Sequence, residues 1–352
     1  AAFTKEKMGQ NVDISIFKKP DAFIEALDEP PHIVAFSNYV WNFSLVSEFA
    51  KAIKKVYPKV VVVFGGPNYP TEDSEQIDFL QKNSQVDFFI VKEGERAFYN
   101  LVTSLTENKF NLHMGYPIPS VHYFDRKTNT PFRNEIADRI NDLSEIPSPY
   151  LMGMMDEYLD DDFMPIIQTN RGCPFACTFC VEGDFYYQKI KRSSQEKVKN
   201  ELEYIARYLL QRIKQGGRAD LFISDSNFGM FEQDIITAKS IQQCQDKYNW
   251  PQYIHVTTGK NNKERVLSVA KMVRGALRLS GSVQSLDRVV LSNIKRANVK
   301  SEELAKLAIE GSDLGANTCS EVILGLPGDS RMAYEKSVSS LLEFGFNNVE
   351  TW

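Results

Sequence analysis

The stretch PIIQTNRGCPFACTFC, residues 165–180, joins a short apolar run to three cysteines, at 173, 177 and 180, in a chain that has only five. Its reading decides the fold. The cysteines follow at once on what reads as a strand, and that strand opens a series of further strands separated by helical segments. Structural zinc takes four ligands, and so does an ordinary iron–sulfur cluster. The four histidines, at 32, 113, 122 and 255, are all distant in sequence. Cys244 reads as part of a helix, and Cys319 as the start of a strand. Two readings therefore stand. One is a zinc site whose fourth ligand is brought near by folding. The other is a four-iron four-sulfur cluster held by three thiolates, its fourth iron open to an external ligand.

Downstream, the strand-like segments are DLFISDSN (220–227), YIHVTTG (253–259), ALRLSGSVQ (276–284), CSEVILG (319–325) and NVETW (348–352). Between them lie helical patterns such as EKVKNELEYIARYLLQRI (196–213) and SEELAKLAIEGSD (301–313). Six parallel strands with helices between them predict a TIM-type barrel or a partial one, with its chemistry at the carboxyl ends of the strands. Upstream, VDISIF (12–17), HIVAFS (32–37), VVVVFGG (60–66) and DFFIVKEGE (87–95) read as β-rich runs, while DAFIEALDE (21–29) and SLVSEFAKAIKKVYP (44–58) have helical spacing. Strands without polar alternation, separated by helices, predict a parallel sheet covered on both faces. Ligands of such sheets sit outside the carboxyl ends of the strands, where Ser37, Asn38, Gly65, Gly66 and Pro67 fall. Gly65-Gly66-Pro67 is equally readable as a tight turn into a helix. Between the two series, PIPSVHYFDRKTNTPFRN (117–134) resembles a small hairpin, and NDLSEIPSPYLMG (141–153) a crossing segment punctuated by proline and serine. The expected organisation is an α/β domain over residues 1–125, a connector over 126–160 and a barrel over 161–352.

Composition sets the frame. With 43% hydrophobic and 25% charged residues, the 352-residue chain has material for two ordinary cores. A formal net charge of -5 lends no support to nucleic-acid binding through bulk electrostatics. No apolar run approaches the roughly 18 residues of a membrane span, and AAFTKEKMGQ lacks the apolar core of a signal peptide. Five cysteines, three of them bunched, fit a reducing cytosol rather than a disulfide framework, so a cytoplasmic location is expected. The chain starts at Ala1 without a methionine and stops at Trp352 inside a predicted strand. It is therefore expected to be a fragment, lacking the first strand of the N-terminal domain and the end of the barrel.

The pattern Cys173-x-x-x-Cys177-x-x-Cys180, with aromatic Phe179 before the last cysteine, resembles the signature of the radical S-adenosylmethionine enzymes. The resemblance implies that the methionine amino and carboxylate groups chelate the unique iron. It also implies that one electron from the cluster cleaves the sulfonium, giving a 5′-deoxyadenosyl radical. SVQSLD (282–287) and VLSNIKR (290–296) are similar to the family's fourth-strand segment, which implies that Gln284 and Arg296 approach S-adenosylmethionine. A planar, permanently charged guanidinium suits a carboxylate, although a surface arginine on a helix is the plain alternative. ILGLPGD (323–329) is similar to the segment that packs on the adenine. ISDSNFG (223–229) places Asp225 and Asn227 where polar groups line the site, but an aspartate there equally caps the next helix. Thr257, Thr258 and Lys260 are further candidates to face the pocket. Tyr186 and Tyr187 either line a substrate channel or pack.

FSNYVWN (36–42), VVFGGPN (62–68) and DFFIVKEGE (87–95), set before such a barrel, resemble the cobalamin-binding branch of that superfamily, whose N-terminal domain is flavodoxin-like (Rossmann-type). The resemblance implies that Ser37 and Gly65-Gly66 border the nucleotide tail of cobalamin, glycine being needed for close approach. One departure is clear: there is no Asp-x-His-x-x-Gly to supply a histidine to cobalt. Either that motif precedes Ala1 or cobalt has no protein ligand; His32, at the start of a strand, reads as structural. The implied function is cleavage of S-adenosylmethionine coupled to cobalamin-dependent methyl transfer, or related radical chemistry, on an unactivated carbon of a small molecule. An electron donor such as flavodoxin or ferredoxin is implied as a partner. Two alternatives remain: a radical enzyme without cobalamin, and a non-catalytic scaffold stabilised by an iron–sulfur cluster or zinc.

Overall fold

In the first of the chain's two units, Ala1–Ile140, strand β1 (Ile33–Ser37) pairs in parallel with β2 (Val61–Gly65), and β2 with β3 (Phe88–Ile90). The structure is a computed structural model that describes residues 1–111 and 117–352, so His113 lies outside the described residues. Side chains alternate across a strand, and β2 shows the consequence. Val62 and Phe64 enter one core with Val34 and Phe89, while Val61 and Val63 enter the opposite one with Phe88, Ile90 and Leu101. A strand apolar on both faces must be covered on both. The helix Phe43–Val56 covers one of them through Val46, Ala50 and Ile53, spaced at one helical face. It ends before Pro58, as a residue preceding proline is biased away from helix.

The predicted hairpin forms as β4 (Val121–Asp125) and β5 (Thr130–Arg133). It joins the same sheet, β4 running antiparallel to β3. The sheet is thus mixed at this edge, and residues 130–133 are hydrogen-bonded into it where the sequence reading places a connector from residue 126. A second difference concerns VDISIF. Residues 12–17 belong to no strand; Val12, Ile14 and Ile16 are half-buried while the residues between them face solvent. Alternation supplied the pattern of a strand, but no sheet edge takes it up.

The second unit, Asn141–Trp352, holds the β/α series. The segment 165–170 divides into β6 (Ile166–Ile167) and the start of β7 (Asn170–Arg171), which pairs antiparallel with β8 (Lys191–Arg192). Then come β9 (Asp220–Phe228), β10 (Tyr253–Thr258), β11 (Leu279–Ser280), β12 (Thr318–Val322) and β13 (Asn348–Thr351). β6, β9 and β10 form one parallel group and β11, β12 and β13 another. Ile254 N donates to Ala276 O at 2.7 Å and Arg278 N to Ile254 O at 3.0 Å, joining the two groups. Six parallel strands therefore follow one another in sequence order, as in a partial (β/α)6 barrel. The strand expected over 276–284 is reduced to two residues. Its continuation turns at Gln284, whose φ of 66° is left-handed.

Candidate functional site

The carboxyl ends of β9 to β12 and the 173–180 loop enclose a cavity of about 380 Å³, lined by all three cysteines of that loop. The pairing of β7 with β8 closes the loop at its base. Inside it, Cys173 N donates to Tyr187 O at 3.0 Å, Cys180 N to Cys177 O at 3.2 Å and Gly183 N to Cys180 O at 2.9 Å. Gly172 is left-handed at φ 113°. A Cβ on Gly183 would overlap the carbonyl oxygen of Cys177, so only glycine fits that close approach. Cys177 is buried, Cys173 half-buried and Cys180 exposed.

Among the described residues, no three His, Cys, Asp or Glu side chains are placed to hold a single metal ion. Three thiols from one loop that line one cavity suit the corners of a cluster, where each iron takes its own thiolate. The donors around them suit thiolates as well. Asn227 Nδ2 lies 3.2 Å from Cys173 Sγ. Lys260 Nζ and Arg296 Nη1 each lie 3.9 Å from Cys177 Sγ.

Arg296 is not a surface arginine. Its Nε donates to Asn298 Oδ1 at 2.9 Å and its Nη2 to the carbonyl of Ser282, and burial holds its pKa below the usual value. Gln284 is buried, and its Nε2 donates to Glu321 Oε2 at 3.3 Å. Its Oε1, like Ser282 Oγ, is buried with no hydrogen-bond partner among the described residues. Both residues line the cavity. Buried polar atoms normally find partners, and two unpartnered acceptors in one cavity fit a polar ligand. The left-handed backbone of Gln284 adds strain of the kind that collects at ligand sites.

Asp225 lines the cavity, as one of the two sequence readings has it, and also holds the backbone beside it. It is 2% exposed. Its oxygens accept from Thr169 N at 2.8 Å, Asn170 N at 3.2 Å, Asn170 Nδ2 at 2.8 Å and the Thr169 hydroxyl. It thus locks the backbone just before the cysteine loop, and burial pushes its carboxyl up to about 7. The cap of the following helix falls to Asp234, which accepts from Phe231 N at 2.9 Å. Phe179, Thr257, Thr258 and Lys260 also line the cavity, Thr258 being engaged with Ser280.

Sequence reasoning passed over Phe175, Glu182, Lys263 and Glu321. Lys263 opens a helix and reads as a surface lysine. Yet it is buried against the carbonyls of Gly259 (2.9 Å) and Ser280 (3.1 Å), and burial lowers its pKa to about 8. Local pattern held no signal for Glu321, which lines the cavity from β12 while Cys319, two residues before it, does not. In the adenine-like segment, Ile323 N donates to Gln284 O at 3.0 Å, and Leu326 packs on Val290 and Ile294.

In the first unit, Ser37 and Gly65 lie opposite each other at the carboxyl ends of β1 and β2. Asn38 is fully buried, its N donating to Gly65 O at 2.6 Å and its Nδ2 to Asn68 O at 2.7 Å. Gly66 has φ 129°, and a Cβ there would come 2.6 Å from Asn38 O. Pro67 is exposed. His32, at the opposite end of β1, stacks on Phe110 with centroids 4.7 Å apart, a packing role.

A model of the B12 binding domain matches residues 1–102. The chain is 32% identical over 325 residues to the cobalamin-dependent radical SAM methyltransferase TokK of Streptomyces tokunonensis, covering 90% of the chain and 45% of that protein. It is 31% identical over 345 residues to the 2-(S-pantetheinyl)-carbapenam-3-carboxylate methyltransferase of Streptantibioticus cattleyicolor, covering 94% and 48%. The chain thus spans about half the length of these curated relatives. The structure of the radical S-adenosylmethionine methyltransferase TsrM from Kitasatospora setae, with cobalamin and a 4Fe-4S cluster bound, matches at a TM-score of 0.67. That match covers 94% of this chain and 66% of TsrM at 15% identity, a likeness of fold.

Proposed function

We propose that this chain belongs to the cobalamin-binding branch of the radical S-adenosylmethionine superfamily, like the relatives it resembles, and that it carries the cofactor sites of a methyltransferase acting on an unactivated carbon of a small molecule. The observation that carries this reading is the cavity in which three cysteines, three basic side chains (Lys260, Lys263 and Arg296) and two unpartnered polar oxygens meet. When bound, the cluster supplies one electron at a time, S-adenosylmethionine the adenosyl and methyl groups, and cobalamin a methyl carrier.

The chain's own groups then have definite tasks. Cys173, Cys177 and Cys180 hold the cluster, and Asn227 steadies Cys173 through its amide. Arg296, fixed by Asn298 and Ser282, presents its guanidinium to the methionine carboxylate. Ser282 Oγ and Gln284 Oε1 accept from the ligand's amino or hydroxyl groups. Phe179 offers an apolar wall, and Asp225 acts at a distance by holding residues 169 and 170. In the first unit, Ser37, Asn38, Gly65, Gly66 and Pro67 border the cobalamin tail.

A low-potential one-electron donor of the flavodoxin or ferredoxin kind is the expected partner, and a reducing cytosol the fitting compartment. Among the described residues, no helix is long and apolar enough to cross a membrane. The relative from Streptantibioticus cattleyicolor makes a pantetheinyl carbapenam carboxylate the first methyl acceptor to try.

The test is anaerobic reconstitution of the whole protein. About four irons per chain are expected, lost in Cys177→Ala, with a cobalamin spectrum after hydroxocobalamin is added. Reductant should then release 5′-deoxyadenosine and, with the acceptor, a methylated product. Stoichiometric zinc without iron uptake would favour the scaffold. Iron and 5′-deoxyadenosine without cobalamin uptake would favour a radical enzyme of another kind.

A further inference from the structure

We propose that Lys260 is a dedicated second cation of the cluster site, holding positive charge against the Cys177 corner and raising the reduction potential there, separately from ligand binding. The inference rests on the cluster reading above and concerns a residue whose task that reading leaves open. Lys260 Nζ lies 3.9 Å from Cys177 Sγ and 3.7 Å from the centroid of the Phe175 ring. Cys177 is 6% exposed, so this charge acts in a poorly screened place.

Two cations reach the same sulfur, but they are held differently. Arg296 is tied by Asn298 and Ser282, which aims one remaining edge of the guanidinium inward. Apart from Cys177, Lys260 is held among the described residues by the ring face of Phe175, a cation–π contact that suits an ammonium drawn out of water. The carboxylates of the cavity are engaged elsewhere. Glu182 accepts from Ser226, Asp225 from Thr169 and Asn170, and Glu321 from Gln284. The charge of Lys260 is therefore left facing the thiolate. Adding one electron to the cluster adds one negative charge, and a fixed cation beside a ligand sulfur favours the reduced form over the oxidised one.

The test is the midpoint potential of the reconstituted holoprotein, followed by electron paramagnetic resonance during titration with a low-potential one-electron reductant. Lys260→Met keeps an apolar stem on Phe175 and deletes the charge. At a fixed poise its ratio of reduced to oxidised cluster should fall about tenfold, a midpoint lower by about 59 mV for one electron. Iron content should stay as in the wild type, S-adenosylmethionine affinity within about twofold, and Lys260→Arg should restore most of the potential. An unchanged midpoint overturns the proposal. So does an unchanged midpoint with affinity lost by more than about tenfold, which would make Lys260 a ligand-binding residue instead. If Lys260→Met fails to hold iron, recovery of iron in Lys260→Arg supports the role of charge, and no recovery overturns it. Absence of iron from the wild type would overturn the cluster reading itself, and this proposal with it.

Discussion

Gly65 and Gly66 are neighbours in the chain, yet a Cβ on each meets different surroundings. On Gly65 it would make ordinary contacts of 3.6 Å with Ile90. On Gly66 it would strike the backbone of Asn38, at a φ of 129° that side chains rarely adopt. Gly66 is therefore required by the fold, whatever binds there, and Gly66→Ala should destabilise the first unit by about 1–3 kcal/mol. Gly65 is the sharper probe of the ligand. Gly65→Ala should leave the thermal midpoint almost unmoved and weaken cobalamin binding about tenfold or more, read by visible titration. Equal binding by Gly65→Ala and wild type would place the cobalamin tail elsewhere.

At the scale of elements, the cysteine loop depends on how the segment before it is anchored. β6 ends after two residues because the chain leaves the barrel sheet to pair β7 with β8, and that departure exposes the amides of Thr169 and Asn170. Asp225, near the end of β9, receives both. Asp225→Ala leaves buried donors without an acceptor and should cost about 3 kcal/mol or more in urea unfolding, with iron loading lowered as the loop loosens. Asp225→Asn should cost less. The Oδ1 of Asn170 is buried without a partner among the described residues, and that amide can turn to accept from the new one. Equal losses in the two variants would show that the carboxylate acts by charge rather than by these hydrogen bonds.

At the scale of the whole molecule, buried carboxyls tie stability to pH. Burial raises Asp225 to about 7 and Asp234 to about 6, and it raises Glu201 in the same direction. Each binds its proton more tightly folded than unfolded. The stability it contributes is fully present below the ordinary carboxylate range near 3.8 and is lost as pH rises through about 6 and then about 7. His122 works in the opposite sense, since burial lowers its pKa and its contribution is lost as pH falls. The thermal midpoint of the apoprotein should therefore drop between about pH 4 and about pH 7. In Asp234→Asn, which keeps an acceptor for Phe231 N, the part of the drop that is complete by about pH 6 should vanish. A midpoint that rises over that range would contradict the assignment.

Local pattern alone determined much of this protein. An unbroken apolar run made 61–65 a strand buried on both faces, helical spacing placed the apolar stripe of 43–56, and the spacing of Cys173, Cys177 and Cys180 marked the reactive loop. These are short-range properties, written in which face of an element avoids water. What a side chain faces across the fold is not written there. VDISIF has a strand's alternation and belongs to no sheet, because a strand also needs an edge to pair with. The hairpin was legible at its turn, but its union with β3 was decided by packing. Lys260 and Arg296 stand 83 and 119 residues from Cys177 and reach one sulfur only because parallel strands bring their carboxyl ends together. Asp225, readable as a cap or a cofactor contact, became an anchor for backbone amides more than fifty residues away. Tertiary structure decided these roles, since burial and partners, not residue type, set what a charged group does.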